Sequence, residues 1–171
     1  MKSLYEMDKY IIERNYSICD IMKMNRKIMP PTYFMVLLVL SVVLYFVFPI
    51  QKLIPPPYTY LGILLILFGF VLNLRADALF KKSKTTVQPH ETPTSLEISG
   101  PFRISRHPMY LGMAAILLGV AIVSGSLLSF LFPIVFVLLM ELLFIPIEEK
   151  NLEQVFGTEY RDYKKKVRRW I

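Results

Sequence analysis

From Pro108 to Met140 the chain carries no charged residue. A run of that length has room for two membrane helices laid back to back. Arg103, Arg106 and His107 stand at one end of it, Glu148 and Glu149 just beyond the other. Ser124-Gly125-Ser126, near the middle, reads as a turn. The run therefore leaves a polar boundary, turns, and comes back to the side it left. Its two polar flanks, distant in sequence, end as neighbours. Tyr33 to Ile50 and Tyr58 to Leu74 are two further uncharged runs. With 54% hydrophobic residues and a mean hydropathy of +0.47, the chain reads as an all-α integral membrane protein.

About four transmembrane helices are expected, over Thr32–Phe48, Tyr58–Leu74, Pro108–Val123 and Leu127–Ile145. The third, at about 16 residues, is about 24 Å long. That is short of a full crossing, so the last two helices are expected as a short hairpin. Pro108 suits a first helical position with His107 near the cap, and Pro133 is a candidate kink. Residues 1–30 place Leu4, Ile11, Ile12, Ile18 and Met22 at roughly helical spacing among six basic residues, which predicts an amphipathic interfacial helix ended by Pro30-Pro31. Residues 75–107 read as a long polar connection. After Pro146 a helix is expected to end at Gly157, and Thr158 to cap a last one. Its stripe of Tyr160, Tyr163 and Val167 would lie on the membrane, with Arg161, Lys164, Lys165, Lys166, Arg168 and Arg169 facing anionic headgroups. The whole, residues 1–171, is expected as one domain: residues 1–30 amphipathic, 32–74 two membrane helices, 75–171 the cofactor-binding and catalytic region.

Charge gives an orientation. The formal net charge is +7, but this hydropathy argues against a nucleic-acid partner. Six basic residues precede the first helix, six lie in 75–107 and seven follow the hairpin. The turn after the first helix has only Lys52, and the turn at 124–126 has none. Both termini and both polar flanks are thus expected in the cytoplasm. One cysteine, Cys19, excludes an intrachain disulfide. Two histidines, His90 and His107, are too few for a metal site, and none is expected. Residues 1–30 hold charges throughout, so no signal peptide is expected.

The flanks have ordinary uses. Arginines snorkel at a membrane edge, and acids in a first helical turn favour the helix dipole. Their convergence points to a shared ligand instead. Arginine binds a carboxylate, glutamate an ammonium, and Tyr110 or Phe102 can face a sulfonium through a cation–π contact. S-adenosylmethionine carries all three groups. Glu141, an ionisable residue inside the fourth apolar run, is either functional or paired with a loop arginine.

Two stretches carry a family likeness. One is Gly100-Pro101-Phe102-Arg103 with Arg106-His107-Pro108-Met109-Tyr110-Leu111-Gly112. The other is Glu148-Glu149 with Leu152, Phe156-Gly157, Glu159-Tyr160 and Tyr163. In this order and spacing they resemble the isoprenylcysteine carboxyl methyltransferase family, which is grouped with the phospholipid N-methyltransferases. The likeness is strong over residues 86–171 and one of character before that. It implies a non-Rossmann membrane methyltransferase that uses S-adenosylmethionine on a lipophilic substrate entering from the bilayer. By motif position, it implies cofactor contacts at Thr94, Ser95, Leu96, Glu97, Phe102, His107, Pro108, Met109, Tyr110 and Glu148. Arg103 joins them as a carboxylate partner, and Arg106, Glu141 and Glu149 are the candidates beside the reacting atoms. Where the prenylcysteine enzymes have a substrate-linked arginine, four residues before the cofactor glutamate, this chain has Phe144. The acceptor is thus left open among a carboxylate, an amine and a thiol. An amine would need a base such as Glu149 or Glu141. The alternatives are a phospholipid or other small-amine or thiol methyltransferase, and a non-catalytic lipid- or partner-binding membrane protein.

Overall fold

The structure is a computed structural model that describes residues 29–47, 55, 57–82 and 95–171. The expected amphipathic segment before residue 29, the turn holding Lys52 and the loop holding His90 and Thr94 lie outside the described residues. Among the described residues there are four apolar helical stretches. Helix α1 is Pro30–Val47, α2 is Thr59–Lys82 and α3 is Pro108–Ser124. The fourth begins as a 3-10 turn, Leu127–Phe130, and continues as α4, Leu131–Leu139. It then passes through a π turn, Met140–Phe144, into α5, Ile145–Lys166. Three of these stretches are long and apolar enough to cross a membrane, while α3 is shorter. The large apolar side chains of α1 and α2 are mostly exposed, as in helices that face lipid. The chain is a multi-pass integral membrane protein.

Helices α2 and α3 meet along small residues. Gly62 and Gly69 are seven apart on α2, Gly112 and Gly119 seven apart on α3, and Ala76 extends the stripe fully buried. A Cβ built on Gly69 would lie 2.4 Å from the Gly112 carbonyl oxygen, and one on Gly62 2.5 Å from that of Gly119. The two backbones touch, and dispersion between them replaces the hydrophobic drive that lipid cannot supply. Facing α3 from its other side, α4 and the π turn build the core: Tyr110, Met113, Leu117, Phe136, Met140, Phe144 and Ile145. Tyr33, Phe34, Leu37 and Leu38 of α1 close over it.

The boundaries depart from expectation in three places. First, α2 runs to Lys82, so its last two turns carry Arg75, Asp77, Lys81 and Lys82 beyond its uncharged stretch. Second, the fourth helix does not end at Ile145. Pro146 has no N–H and its ring clashes with the carbonyl four residues back. The chain answers by widening: the Ile145 N–H bonds to the Met140 carbonyl, five residues back, and the helix passes through. Third, the stripe expected to lie on lipid is buried in protein. At Gly157 the backbone turns to φ 53°, a left-handed value that suits glycine, and the helix axis breaks there. The break carries Tyr160 and Tyr163 onto the segment 102–106, where both are buried.

Gly69→Leu is expected to force α2 off α3 and to destabilise the protein by about 3 kcal/mol or more, beyond ordinary overpacking because the obstacle is backbone. Thermal unfolding in detergent micelles checks this, with Leu67→Ala, on the exposed side of the same helix, as the control expected to change little.

Candidate active site

The first polar flank is shaped by two prolines. Pro101 opens a 3-10 turn, Gly100–Arg103, and Pro108 opens α3. Between them Ser105 is buried. It accepts the His107 N–H at 3.2 Å, and its own hydroxyl donates to the Arg169 carbonyl at 3.0 Å. The Arg106 N–H donates to the Arg168 carbonyl at 3.0 Å. Tyr163 donates its hydroxyl to the Phe102 carbonyl at 2.6 Å. The flank is thus laced to the last helix and to residues 167–171 beyond it.

The second flank is shaped by the π turn. Glu141 and Glu149 are eight residues apart, which in a regular helix is about 80° out of phase. The extra residue taken up by the π turn removes most of that offset. Both carboxylates then reach one guanidinium, that of Arg169. Its Nε and Nη2 donate to Glu149 at 2.9 Å each, and its Nη1 to Glu141. Trp170 completes the Glu141 shell, donating Nε1–H at 3.0 Å while its ring packs on the core.

Glu149 is the centre. Besides Arg169 it faces Arg106 Nη1 at 3.0 Å, His107 Nε2 at 3.6 Å and Lys164 Nζ at 3.6 Å. The Arg106 contact is close enough for an ion pair, but its N–H groups point past the oxygen, leaving Nε and Nη1 without a hydrogen-bond acceptor. His107 turns its other nitrogen, Nδ1, to Glu148 at 3.2 Å, and stacks on Tyr110 with ring planes 9° apart. Tyr110 donates its hydroxyl to Glu148. One chain of contacts therefore runs Arg169, Glu149, His107, Glu148, Tyr110.

Burial opposes charge at both His107 and Glu149, and the partners overcome it at both. Burial alone would lower His107, but its contacts with Glu148 and Glu149 raise it above the ordinary 6.5. Burial alone would raise Glu149, but His107, Arg169 and Arg106 hold it well below the usual carboxylate range. Glu149 is therefore a weak proton acceptor.

Several residues proposed from the sequence stand elsewhere. Arg103 is exposed and joins none of these contacts. The Phe102 ring is buried edge-on against Phe80 of α2, with centroids 5.1 Å apart. Pro108 is fully buried and Met109 half-buried at the start of α3. Ser95, Leu96 and Glu97 are half-buried, and Glu97 accepts both the Ser99 N–H and hydroxyl. Thr94 lies outside the described residues. Phe144 is buried in the core against Tyr33, centroids 5.6 Å apart. Trp170 and Ser105 carry no expectation from the sequence, and Tyr160 and Arg169, expected to face lipid and its headgroups, are drawn into the site instead. The one tryptophan of the chain, set after two arginines, was the available signal. An open cavity of about 420 Å³ adjoins Glu149, walled by Pro146, Lys150, Glu153, Gln154, Lys164 and Arg169. His107, Tyr110 and Glu148 are not part of its wall.

The model of the family described as "Phospholipid methyltransferase" matches residues 57–159, which holds α2, α3 and both polar flanks. The chain belongs to the phospholipid methyltransferase family. Within this family's reach, it is 32% identical over 114 residues to probable protein-S-isoprenylcysteine O-methyltransferases of Oryza sativa, subspecies indica and japonica. That match covers 64% of this chain and 58% of each rice protein. An uncharacterised protein of Haemophilus influenzae is 46% identical over 63 residues, 37% of this chain and its own whole length. A solved eukaryotic intramembrane Ras methyltransferase, isoprenylcysteine carboxyl methyltransferase, shares the fold. Its TM-score is 0.64 at 23% identity, over 85% of this chain and 54% of that one. The chain thus spans little more than half the length of the rice relatives and of this solved structure.

The opposed shifts set a pH window. With its value raised on folding, His107 contributes stability that is full below 6.5 and is lost as pH rises through the folded value. Glu149, lowered from 4.5, contributes stability that is full above 4.5 and is lost as pH falls through its folded value. The thermal midpoint in detergent is expected to hold across mildly acidic pH and to fall on the alkaline side. His107→Gln should lower the plateau and flatten that alkaline fall.

Proposed function

We propose that this protein is an S-adenosylmethionine-dependent methyltransferase acting on a lipophilic substrate, of the isoprenylcysteine carboxyl O-methyltransferase type. The observation that carries the reading is the meeting of the two flanks at Glu148, which faces His107 from one and receives the Tyr110 hydroxyl. The donor set fits the cofactor. Glu148 is the less buried acid of its pair, with its side chain 17% exposed against 5% for Glu149, and suits an ammonium group. The Tyr110 ring offers a face for a cation. Backbone at Ser95, Leu96 and Glu97 would take the rest. When bound, the cofactor supplies an electrophilic methyl group. The chain's part is to hold the acceptor in line with it and to keep water out.

Glu149 bears on the acceptor. A carboxylate held by cations is poorly suited to take a proton from an amine. That favours an acceptor that arrives deprotonated, a carboxylate or a thiolate. A second reading, methylation of a lipid amine, draws on Phe144: the turn before Glu148 offers an anionic acceptor no cation. The distribution of basic residues supports a cytoplasmic site and cytoplasmic termini. Lys165, on the last turn of α5, and Arg168, just beyond it, are both exposed and would meet anionic lipid.

Calorimetric titration of S-adenosylhomocysteine into the protein in lipid nanodiscs tests the reading. Binding is expected, and Glu148→Gln is expected to weaken it by about tenfold or more, the cost of a lost charge-assisted contact. No binding by the unaltered protein would instead support a non-catalytic lipid- or partner-binding role. Base treatment of methyl-labelled membrane product then separates the acceptors, since an ester releases its label and a methylated amine keeps it.

A further inference from the structure

The last residues of the chain form a strap. Beyond Lys166 the backbone leaves the helix, and Val167 is extended. The carbonyls of Arg168 and Arg169 tie to Arg106 and Ser105, and the Trp170 ring seats on the core. These anchors aim the Arg169 guanidinium at Glu141 and Glu149, and it donates to both. Arg169 touches neither His107 nor Glu148 in any contact described above. It reaches them through Glu149, whose other neighbours, Arg106, His107 and Lys164, compete for the same two oxygens.

The competition has a geometric result. Arg169 takes both Glu149 oxygens in a fork, which fixes the carboxylate plane. His107 Nε2 then sits 3.6 Å from Glu149, too far for a hydrogen bond, while Nδ1 sits at 3.2 Å from Glu148. Without the fork, Glu149 is free to swing onto His107 and draw the ring away from Glu148. We propose that Arg169 is a positioning residue of the cofactor site, acting through Glu149 to keep His107 directed at Glu148. The inference rests on the reading of Glu148 as the cofactor carboxylate, and it gives the C-terminal strap a role in ligand affinity.

The test is titration of S-adenosylhomocysteine into the full chain in nanodiscs, across a double-mutant cycle of Arg169→Ala and Glu149→Gln, with folding followed by thermal unfolding. Arg169→Ala is expected to weaken binding by about tenfold or more. The double variant should bind no more weakly than Arg169→Ala alone, because the residue acts through Glu149. Guanidinium ion at millimolar concentration should restore part of the affinity to Arg169→Ala and none to Glu148→Gln. If Arg169→Ala does not fold, Arg169→Lys keeps the charge and removes the fork, and about a threefold or larger weakening is expected. Binding within about twofold of the unaltered protein in whichever variant folds, or effects that multiply across the cycle, overturns the inference while leaving the cofactor reading intact. Failure of the unaltered protein to bind overturns both.

Discussion

The structure depends on one buried carboxylate. Glu149 draws Arg106 and His107 from the first polar flank and Arg169 from the end of the chain to one point. An ion buried at an apolar boundary is costly alone, and so is each of its partners. Together they offset one another's charge, which lets the hairpin close with charge inside it. Removing one member of such a set typically costs about 3–5 kcal/mol, since the others are left unmatched. The arrangement is thus cooperative. It exists when the hairpin, the break at Gly157 and the strap are all in place.

Two helix irregularities make that meeting possible. The π turn at Met140–Phe144 absorbs Pro146 without ending the helix, and it brings Glu141 into phase with Glu149. The left-handed backbone at Gly157 redirects the last helix so that Tyr160 and Tyr163 cover the first flank. Around these, the framework is plain. Glycines at a seven-residue spacing let α2 and α3 touch, and α1 seals the core from one side. Such a frame places the site at the polar ends of the apolar helices.

Much of this was legible in the sequence. The uncharged run from Pro108 to Met140 required a hairpin, and a hairpin required Arg106 and His107 to meet the Glu148-Glu149 pair. Pro108 and the 124–126 turn marked the helix ends closely. What failed to show were features set by tertiary contact. Pro146 signals a stop unless the helix can widen, and the widening depends on packing around Met140 and Phe144. The Tyr160 and Tyr163 stripe has the period of a lipid-facing surface, and nothing local tells lipid from protein. Arg169 sits in a basic run like its neighbours Arg168 and Lys166. Only the path of the strap singles it out.

The central claim is that two stretches distant in sequence make one cofactor site. Ultraviolet crosslinking of methyl-labelled S-adenosylmethionine to the protein in nanodiscs, followed by mapping of labelled peptides, tests it most directly. The account predicts label on peptides from both the 100–110 and the 144–150 regions, each suppressed by excess S-adenosylhomocysteine. Label confined to one region, or insensitive to that competitor, would contradict it.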